Sequence, residues 1–393
     1  MNPVELIDME NKRALVRVDF NVPLDDGVVD NDFRIQASLP TIRYILESGG
    51  SLVLMSHLGR PHGEVVPKLS LLPVAETLEE LLDHDVIFSQ DCVSDQAISV
   101  SKKLKPGQIH MLENLRYYSG EEANDDDFSA RLAQHGELYV NDAFGTAHRA
   151  HASNVGVPSH FKDRSYGMLM GRELRFLEKT LENPGKPFIV VLGGAKIAGK
   201  LELIRNLLAR TDRLIIGGGM AFTFLKAQGH HIGLSLVEND LLGEADAILK
   251  EADERGVTIM LPRDLVAADR GHPDAEWRLA GLEDLRPNEM GVDLGPETCA
   301  DFGMAIAKGK TILWNGPMGI FEYAPFQTGT EIVMSSIAEA TRNGAVSIVG
   351  GGDSVSAIYK LSEPKHFSHI STGGGASLEL LSGKKLPALE ALR

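Results

Sequence analysis

The chain has 393 residues and a mass of 42.6 kDa, with 39 basic against 55 acidic side chains and a net charge of −16. Its length predicts two or three domains with cores large enough to fold without a disulfide or metal staple. A pI near 5.3 excludes general nucleic-acid binding, which depends on basic patches that displace counterions, and disfavours adhesion to an anionic membrane.

The hydrophobic fraction of 43% and mean hydropathy of −0.08 are those of a globular chain. Cys92 and Cys299 stand far apart without CxxC spacing, which points to a reducing compartment. Met1–Glu5 carries no basic segment leading into an apolar stretch, so no secretory signal is visible and a cytoplasmic protein is expected. The acid excess is uneven. Residues 1–170 hold 15 basic and 26 acidic side chains, a balance of −11, and residues 171–393 hold 24 and 29, a balance of −5.

In the first half, apolar and β-branched runs at Ala14–Phe20, Leu52–Met55, Val86–Phe88, Ile109–Leu112 and Leu138–Val140 read as strands, with a helix over Leu72–Leu82. Runs apolar on both faces and spaced by helices mark parallel strands covered on both sides. Basic residues follow these strands. Asp19 and Asn21 come just after the first, and Arg34 opens the next helix. His57, Leu58, Gly59 and Arg60 follow the second strand, Arg116 follows Ile109–Leu112, and His148, Arg149 and His151 follow Leu138–Val140. Placed along one sheet edge, these cations form an anion site suited to phosphate. The acidic run Glu121–Asp127 reads as a solvated loop.

The amphipathic stretch Gly171–Leu181, closed by Glu182-Asn183-Pro184-Gly185-Lys186-Pro187, reads as an interdomain helix and linker. Beyond it, strands are expected at Phe188–Leu192, Leu214–Ile216, Val257–Met260, Thr311–Trp314, Ala345–Val349 and His369–Ile370, and helices at Leu201–Ala209, Leu241–Glu254 and Thr330–Arg342. Eleven strands exceed one ordinary sheet of about five. The expected fold is therefore α/β, with two doubly wound, Rossmann-like parallel-sheet domains joined by a hinge helix. The expected boundaries are 1–170, 171–187 and 188–385, with a terminal segment 386–393.

Four glycine clusters follow strands of the second half: Gly193-Gly194-Ala195-Lys196, Gly217-Gly218-Gly219-Met220, Gly350-Gly351-Gly352-Asp353 and Gly373-Gly374-Gly375-Ala376. At the carboxyl ends of parallel strands, such turns let phosphate approach backbone N–H groups at a helix N-terminus. Gly194–Lys200 has the spacing GxxxxGK, but Leu201 stands where a P-loop needs a hydroxyl for Mg²⁺. No cluster completes GxGxxG, which weighs against a dinucleotide dehydrogenase. The remaining reading is a nucleotide cradle served by Lys196 and Lys200, four apart on one face of the following helix. A P-loop-type ATPase and a binding scaffold without catalysis remain alternatives at this point.

Arg17-Val18-Asp19-Phe20-Asn21-Val22-Pro23 resembles a signature of the phosphoglycerate kinase family. The likeness continues through Ser56–Pro61, Glu113–Arg116, Gly145–His151, Gly193–Lys196, Met290–Pro296, Trp314–Glu322, Gly350–Ser354 and Ser371–Ala376, in family order along essentially the whole chain. The resemblance implies reversible transfer of the acyl phosphate of 1,3-bisphosphoglycerate to MgADP, giving 3-phosphoglycerate and ATP in glycolysis, in line and on domain closure. It implies that the first domain binds 3-phosphoglycerate through Asp19, Asn21, Arg34, His57, Leu58, Gly59, Arg60, Arg116 and Arg149. It assigns Lys196, Lys200, Glu322, Gly350, Gly351, Gly352, Asp353 and Ser354 to ADP or ATP, with Asp353 also toward Mg²⁺. Arg34, Lys196, Gly351 and Gly374 would serve the transfer itself. Among partners it implies small molecules alone, with no nucleic acid and no membrane, for a monomer whose residues 386–393 pack back on the first domain. Ala198-Gly199 departs from the family, where a polar residue is frequent before the lysine of position 200. Glycine inside a helix costs about 1 kcal/mol against alanine, so a looser turn is expected at Lys200.

Overall fold

A computed structural model describes residues 1–178 and 182–393 in full, and residues 179–181 only as part of the helix that passes through them. The chain forms two compact units, Met1–Arg175 with Lys385–Arg393, and Phe176–Lys384.

The first unit contains β1 (Asn2–Pro3), β2 (Arg13–Val18), the hairpin β3 (Leu24–Asp25) and β4 (Val28–Val29), β5 (Ser51–Met55), β6 (Val86–Ser89), β7 (Ile109–Leu112), β8 (Leu138–Asp142) and β9 (Arg164–Tyr166). Its helices are α1 (Phe33–Glu47), α2 (Leu72–Leu82), α3 (Asp95–Lys102), α4 (Ser119–Ala123) and α5 (Asp126–Ala133). Seven strands form one parallel sheet in the order β1-β9-β8-β2-β5-β7-β6. The chain steps outward from β2 through β5 on one side and through β8 on the other, so the order reverses between β2 and β8. One face buries Val16, Val18, Leu52, Leu54, Met111 and Val140 against Ile42 and Ile45 of α1 and Val74 and Leu78 of α2. Each such aliphatic contributes about 1.5–3 kcal/mol when removed from water.

The acidic run from Glu121 to Asp127 is not a solvated loop. It lies across α4 and α5, and Asp125 Oδ1 accepts from Phe128 N at 2.8 Å as the N-cap of α5. Glu121 is fully buried. Helix capping and a buried hydrogen-bonded partner, Ser153, claim carboxylates that charge alone assigns to water.

Helix α6 (Met168–Glu182) begins in the first unit and ends in the second. Gly171–Leu181 falls within it, and its last three residues, 179–181, lie outside the described side chains. Asp142 Oδ1 accepts from Met170 N at 3.0 Å in the first turn of α6.

The second unit contains β10 (Phe188–Leu192), β11 (Arg213–Ile216), β12 (Thr258–Met260), β13 (Asp264–Ala268), β14 (Trp277–Gly281), β15 (Met290–Leu294), β16 (Thr311–Asn315), β17 (Val346–Gly350) and β18 (His369–Ile370). Its helices are α7 (Leu201–Leu208), α8 (Ala221–Ala227), α9 (Leu242–Glu254), α10 (Pro296–Ile306), α11 (Thr328–Arg342), α12 (Gly352–Leu361) and α13 (Gly375–Leu381). Six strands form a parallel sheet in the order β12-β11-β10-β16-β17-β18. Ile189, Val191, Ile312, Trp314 and Val349 pack against Phe302 of α10 and Val333 and Ile337 of α11. A separate antiparallel sheet, β14-β13-β15, adds a small core with Phe222, Leu225, Leu265 and Ala280.

The C-terminal helix α14 (Pro387–Ala391) belongs to the first unit, where Ala388 N donates to Ala147 O at 3.1 Å.

Candidate functional site

At the carboxyl edge of the first sheet, the loops after β2, β5, β7 and β8 bring cations together. Arg34, the second residue of α1, donates from Nη1 to Asp19 Oδ2 at 2.8 Å. Asn21 Oδ1 accepts from Gly59 N at 2.8 Å, and Gly59 O accepts from Arg116 Nη1 at 2.7 Å. Asn114 holds both polar groups of the buried Leu58, accepting from its N–H at 3.2 Å and donating to its carbonyl at 2.7 Å. The loop from Leu58 to Gly59 is thus fixed from two sides.

Arg17 lies beneath this cluster, fully buried on β2. Its Nε donates to Ser153 Oγ at 2.8 Å, its Nη1 to Val18 O, and its Nη2 to His57 Nδ1 at 3.1 Å. Burial, and then the charges of Arg17, Arg116 and Arg34, hold the His57 imidazole well below its usual value, so the ring is neutral. His151 is pushed down to about 4, by burial first and then by Arg116, Arg17 and Arg149. Arg116 is itself lowered, by burial and then by Arg17. Arg149 belongs to this group through its field at Arg116 and His151, whereas Arg60 follows β5 with an exposed side chain.

Three buried polar atoms of the cluster lack a hydrogen-bond partner among the described residues: Asp19 Oδ1, Arg116 Nε and His151 Nδ1. Buried donors and acceptors are ordinarily paired. Each has a charged neighbour outside hydrogen-bond geometry: Arg116 Nε is 3.3 Å from Glu122 Oε1, His151 Nδ1 is 3.9 Å from Glu121 Oε1, and Asp19 Oδ1 is 3.9 Å from His57 Nδ1.

In the second unit, the glycine turns after β10, β11 and β17 lie at the carboxyl edge, with the strand-order reversal between β10 and β16. Gly194, Gly218, Gly219, Pro317 and Gly319 line one wall of a cleft of about 240 Å³, and Phe222, Leu236, Met290 and Val292 line its apolar side. Glu322 and Asp353 are its carboxylates at the surface. The lining suits an apolar group held beside an anion at the glycine turns. Asp293 also lines it, and its Oδ2 accepts from Gly329 N at 2.9 Å in the first turn of α11. Burial pushes that carboxyl up to about 7.

Gly350 ends β17, and Gly351 turns at φ +90°, a conformation that only glycine adopts without strain. That turn presents Gly352 and Asp353 as the first residues of α12, where backbone N–H groups favour an anion. Ser354 is buried, and its Oγ accepts from Gly316 N at 2.6 Å, tying α12 to the loop after β16. Gly374, at φ +49°, makes the corresponding turn into α13.

Lys196 and Lys200 do not share a helical face. Lys196 is exposed in the loop after β10, and Lys200 closes a 3-10 turn, Ala198–Lys200, ahead of α7. The glycines of that loop let the chain run irregularly until Leu201, where the apolar period of α7 begins. Lys200 Nζ donates to Gly193 O and to Asn315 O, the latter at 3.1 Å. Burial lowers its ammonium to about 8, against the opposing charge of Asp353. Gly199 has open space around its α-carbon, so nothing packs the turn from outside.

Several residues of these sites escape sequence reasoning. Glu121, Ser153 and the apolar wall residues Phe222 and Leu236 carry no motif of their own, whereas Val292 stands within Met290–Pro296. Arg17 opens the signature Arg17–Pro23, and as an arginine inside a run otherwise buried on both faces it demands partners that the signature does not name. Lys360 donates to the carbonyls of Phe321 and Glu322 at 3.0 and 2.9 Å, an arrangement invisible at separations of 39 and 38 residues.

The family model described as phosphoglycerate kinase matches residues 4–384. The phosphoglycerate kinase of Prosthecochloris aestuarii is 49% identical over 387 residues, covering 98% of each chain. That of Koribacter versatilis is 51% identical over 394 residues, covering 98% of this chain and 97% of its own. The solved structure of phosphoglycerate kinase from Coxiella burnetii superposes with a TM-score of 0.89 at 40% identity, covering 100% of this chain and 98% of that one. With the matched model, the full-length relatives and the shared fold in agreement, the chain belongs to the phosphoglycerate kinase family.

Proposed function

We propose that the first unit, broadly residues 1–170, holds 3-phosphoglycerate at its Arg/His cluster, and that the second, broadly 188–385, holds ADP or ATP in its glycine-lined cleft. The reaction is that of the family: a phosphotransferase with a carboxyl group as acceptor, moving a phosphoryl group reversibly between 1,3-bisphosphoglycerate and ADP in glycolysis. The observation that best supports the first assignment is the group of Arg17, Arg34, Arg116 and Arg149 around neutral His57 and His151, with Asp19 Oδ1 buried and without a hydrogen-bond partner among the described residues.

In this reading Asp19 and Asn21 take the hydroxyl and carboxyl end of the glycerate, and Arg34, His57, Arg60, Arg116 and Arg149 take its phosphate and carboxylate. Leu58 and Gly59 shape the loop between them. The purine lies against Phe222, Leu236 and Val292, Glu322 takes the ribose, and Gly350–Ser354 with Lys200 take the phosphates. Lys196 and Arg34 follow the transferring phosphoryl group, whose charge the amides of Gly351 and Gly374 stabilise. Positioning and electrostatics carry most of such a transfer, and the anionic β-phosphate of ADP needs no general base. Exclusion of water on closure protects the acyl phosphate from hydrolysis.

Asp353 fits a divalent cation that arrives with the nucleotide. Its carboxylate is exposed at the rim of the cleft, a hard oxygen donor of the kind Mg²⁺ takes one or two of beside substrate phosphates. When bound there, the ion supplies charge neutralisation at the phosphates. We place the enzyme in the cytoplasm as a monomer, with small molecules as its only ligands and residues 386–393 as a strap on the first unit. A coupled assay tests the function: ADP should form from ATP only when 3-phosphoglycerate is present. ADP formation without it would mean an ATPase.

A further inference from the structure

The buried residues behind His57 form a chain that the binding roles above do not use. Glu121 is fully buried, and its carboxylate accepts from Ser153 N at 2.9 Å and from Ser153 Oγ at 2.6 Å. A hydroxyl has one proton to give. Ser153 spends it on Glu121, so its oxygen is left as the acceptor for Arg17 Nε at 2.8 Å. A guanidinium only donates, and the contact of Arg17 Nη2 with His57 Nδ1 at 3.1 Å therefore requires an unprotonated Nδ1. The single proton of the neutral ring must sit on Nε2. Asp19 Oδ1, 3.9 Å from the same Nδ1, is an acceptor that cannot replace Arg17 there.

We propose that Glu121 and Ser153 are positioning residues that act through Arg17 to hold His57 as a neutral Nε2–H donor toward the glycerate ligand. The value of that donor rests on the reading of His57 as a substrate contact. A histidine free to choose its tautomer would offer a lone pair to an anion for part of the time. The chain removes that choice. It also supplies the buried Arg17 with a counter-charge one hydroxyl away, without an ion pair that would draw the guanidinium off the ring. Tyr139 Oη, donating to Ser153 O at 2.7 Å, holds the serine from its other side.

The test uses the full chain labelled with ¹⁵N-histidine, in the wild type and in Ser153→Ala and Glu121→Gln. Long-range ¹H–¹⁵N correlation distinguishes the two tautomers directly. Kinetics give KM for 3-phosphoglycerate and for MgATP separately. The expected result is a pure Nε2–H pattern at His57 in the wild type and a mixed or inverted pattern in both variants. KM for 3-phosphoglycerate should rise by about tenfold, the worth of one hydrogen bond to a charged group, with KM for MgATP unchanged. Ser153→Ala removes a single hydroxyl, so it reports even where Glu121→Gln fails to fold. An unaltered His57 pattern in folded Ser153→Ala overturns the proposal. His57→Ala separates the two ideas: if it leaves KM for 3-phosphoglycerate unchanged while Ser153→Ala still shifts the tautomer, the positioning chain stands and the substrate role of His57 falls.

Discussion

Arg34 Nη1 lies 2.8 Å from Asp19 Oδ2, while the other oxygen of the same carboxylate, Oδ1, is buried without a hydrogen-bond partner among the described residues. One oxygen orients the arginine that opens α1, and the other is left for a ligand donor. Asp19→Asn should therefore damage substrate binding twice, by loosening Arg34 and by replacing an acceptor. KM for 3-phosphoglycerate is expected to rise about tenfold or more, with little change in KM for nucleotide. Steady-state kinetics with each substrate varied in turn check this, and equal changes in both would contradict it.

Lys200 has an ammonium lowered to about 8 by burial. The sign follows from proton binding. A phosphate ligand stabilises the charged form, so ADP should bind with proton uptake near pH 8 and more weakly at pH 9 than at pH 7. Calorimetry at the two values measures the change. Lys200→Arg, charged throughout, should flatten it, and a wild type with equal affinities would remove Lys200 from phosphate binding.

Lys360 sets the carbonyls of Phe321 and Glu322, and so the loop that brings the Glu322 side chain to the cleft rim. Lys360→Met should raise KM for ADP about three- to tenfold, the range of one or two ordinary hydrogen bonds. KM for 3-phosphoglycerate should not move. An unchanged KM for ADP would show that the loop holds its shape without the lysine.

His110 and His135 share Ser101 Oγ, at 2.8 and 2.6 Å from their Nδ1 atoms, and both are pushed down to about 4 by burial. His135 Nε2 faces the carbonyl of Cys92 at 3.0 Å, so it donates, and its Nδ1 accepts the serine proton. Both rings are neutral when folded and titrate near 6.5 when unfolded. The unfolded chain thus binds more protons between those values, and stability is complete above about 6.5 and falls as the pH drops toward 4. Urea unfolding at pH 7 and pH 5 should show the loss. His110→Gln should reduce its slope, and an unchanged slope would exclude His110 as a contributor.

The parallel strands were legible because β5 and β10 are apolar on both faces, a pattern that burial on both sides imposes. β14 was not, since Trp277 and Leu279 are half exposed and the strand sits at the edge of a small antiparallel sheet. The glycine turns and the cations after strands were legible because position at a carboxyl edge has a chemical meaning independent of the partners met there. Glu121 departs from the expected solvated loop for the opposite reason: an acidic run ordinarily faces water, and only the fold brings Ser153 to its carboxylate. The spacing of Lys196 and Lys200 fits a helical pair, but the glycine-rich backbone does not keep a helical period until Leu201.

The proposed division of labour gives the glycerate to one unit and the nucleotide to the other for a single phosphoryl transfer. The most direct measurement is 3-phosphoglycerate-dependent ADP formation by the wild type and by Arg34→Ala, alongside calorimetric binding of ADP to both. The expected result is strict dependence on 3-phosphoglycerate in the wild type, loss of kcat by about two orders of magnitude or more in the variant, as for removal of a transition-state charge contact, and unchanged ADP affinity. An unchanged kcat in a folded Arg34→Ala, or turnover without 3-phosphoglycerate, would contradict it.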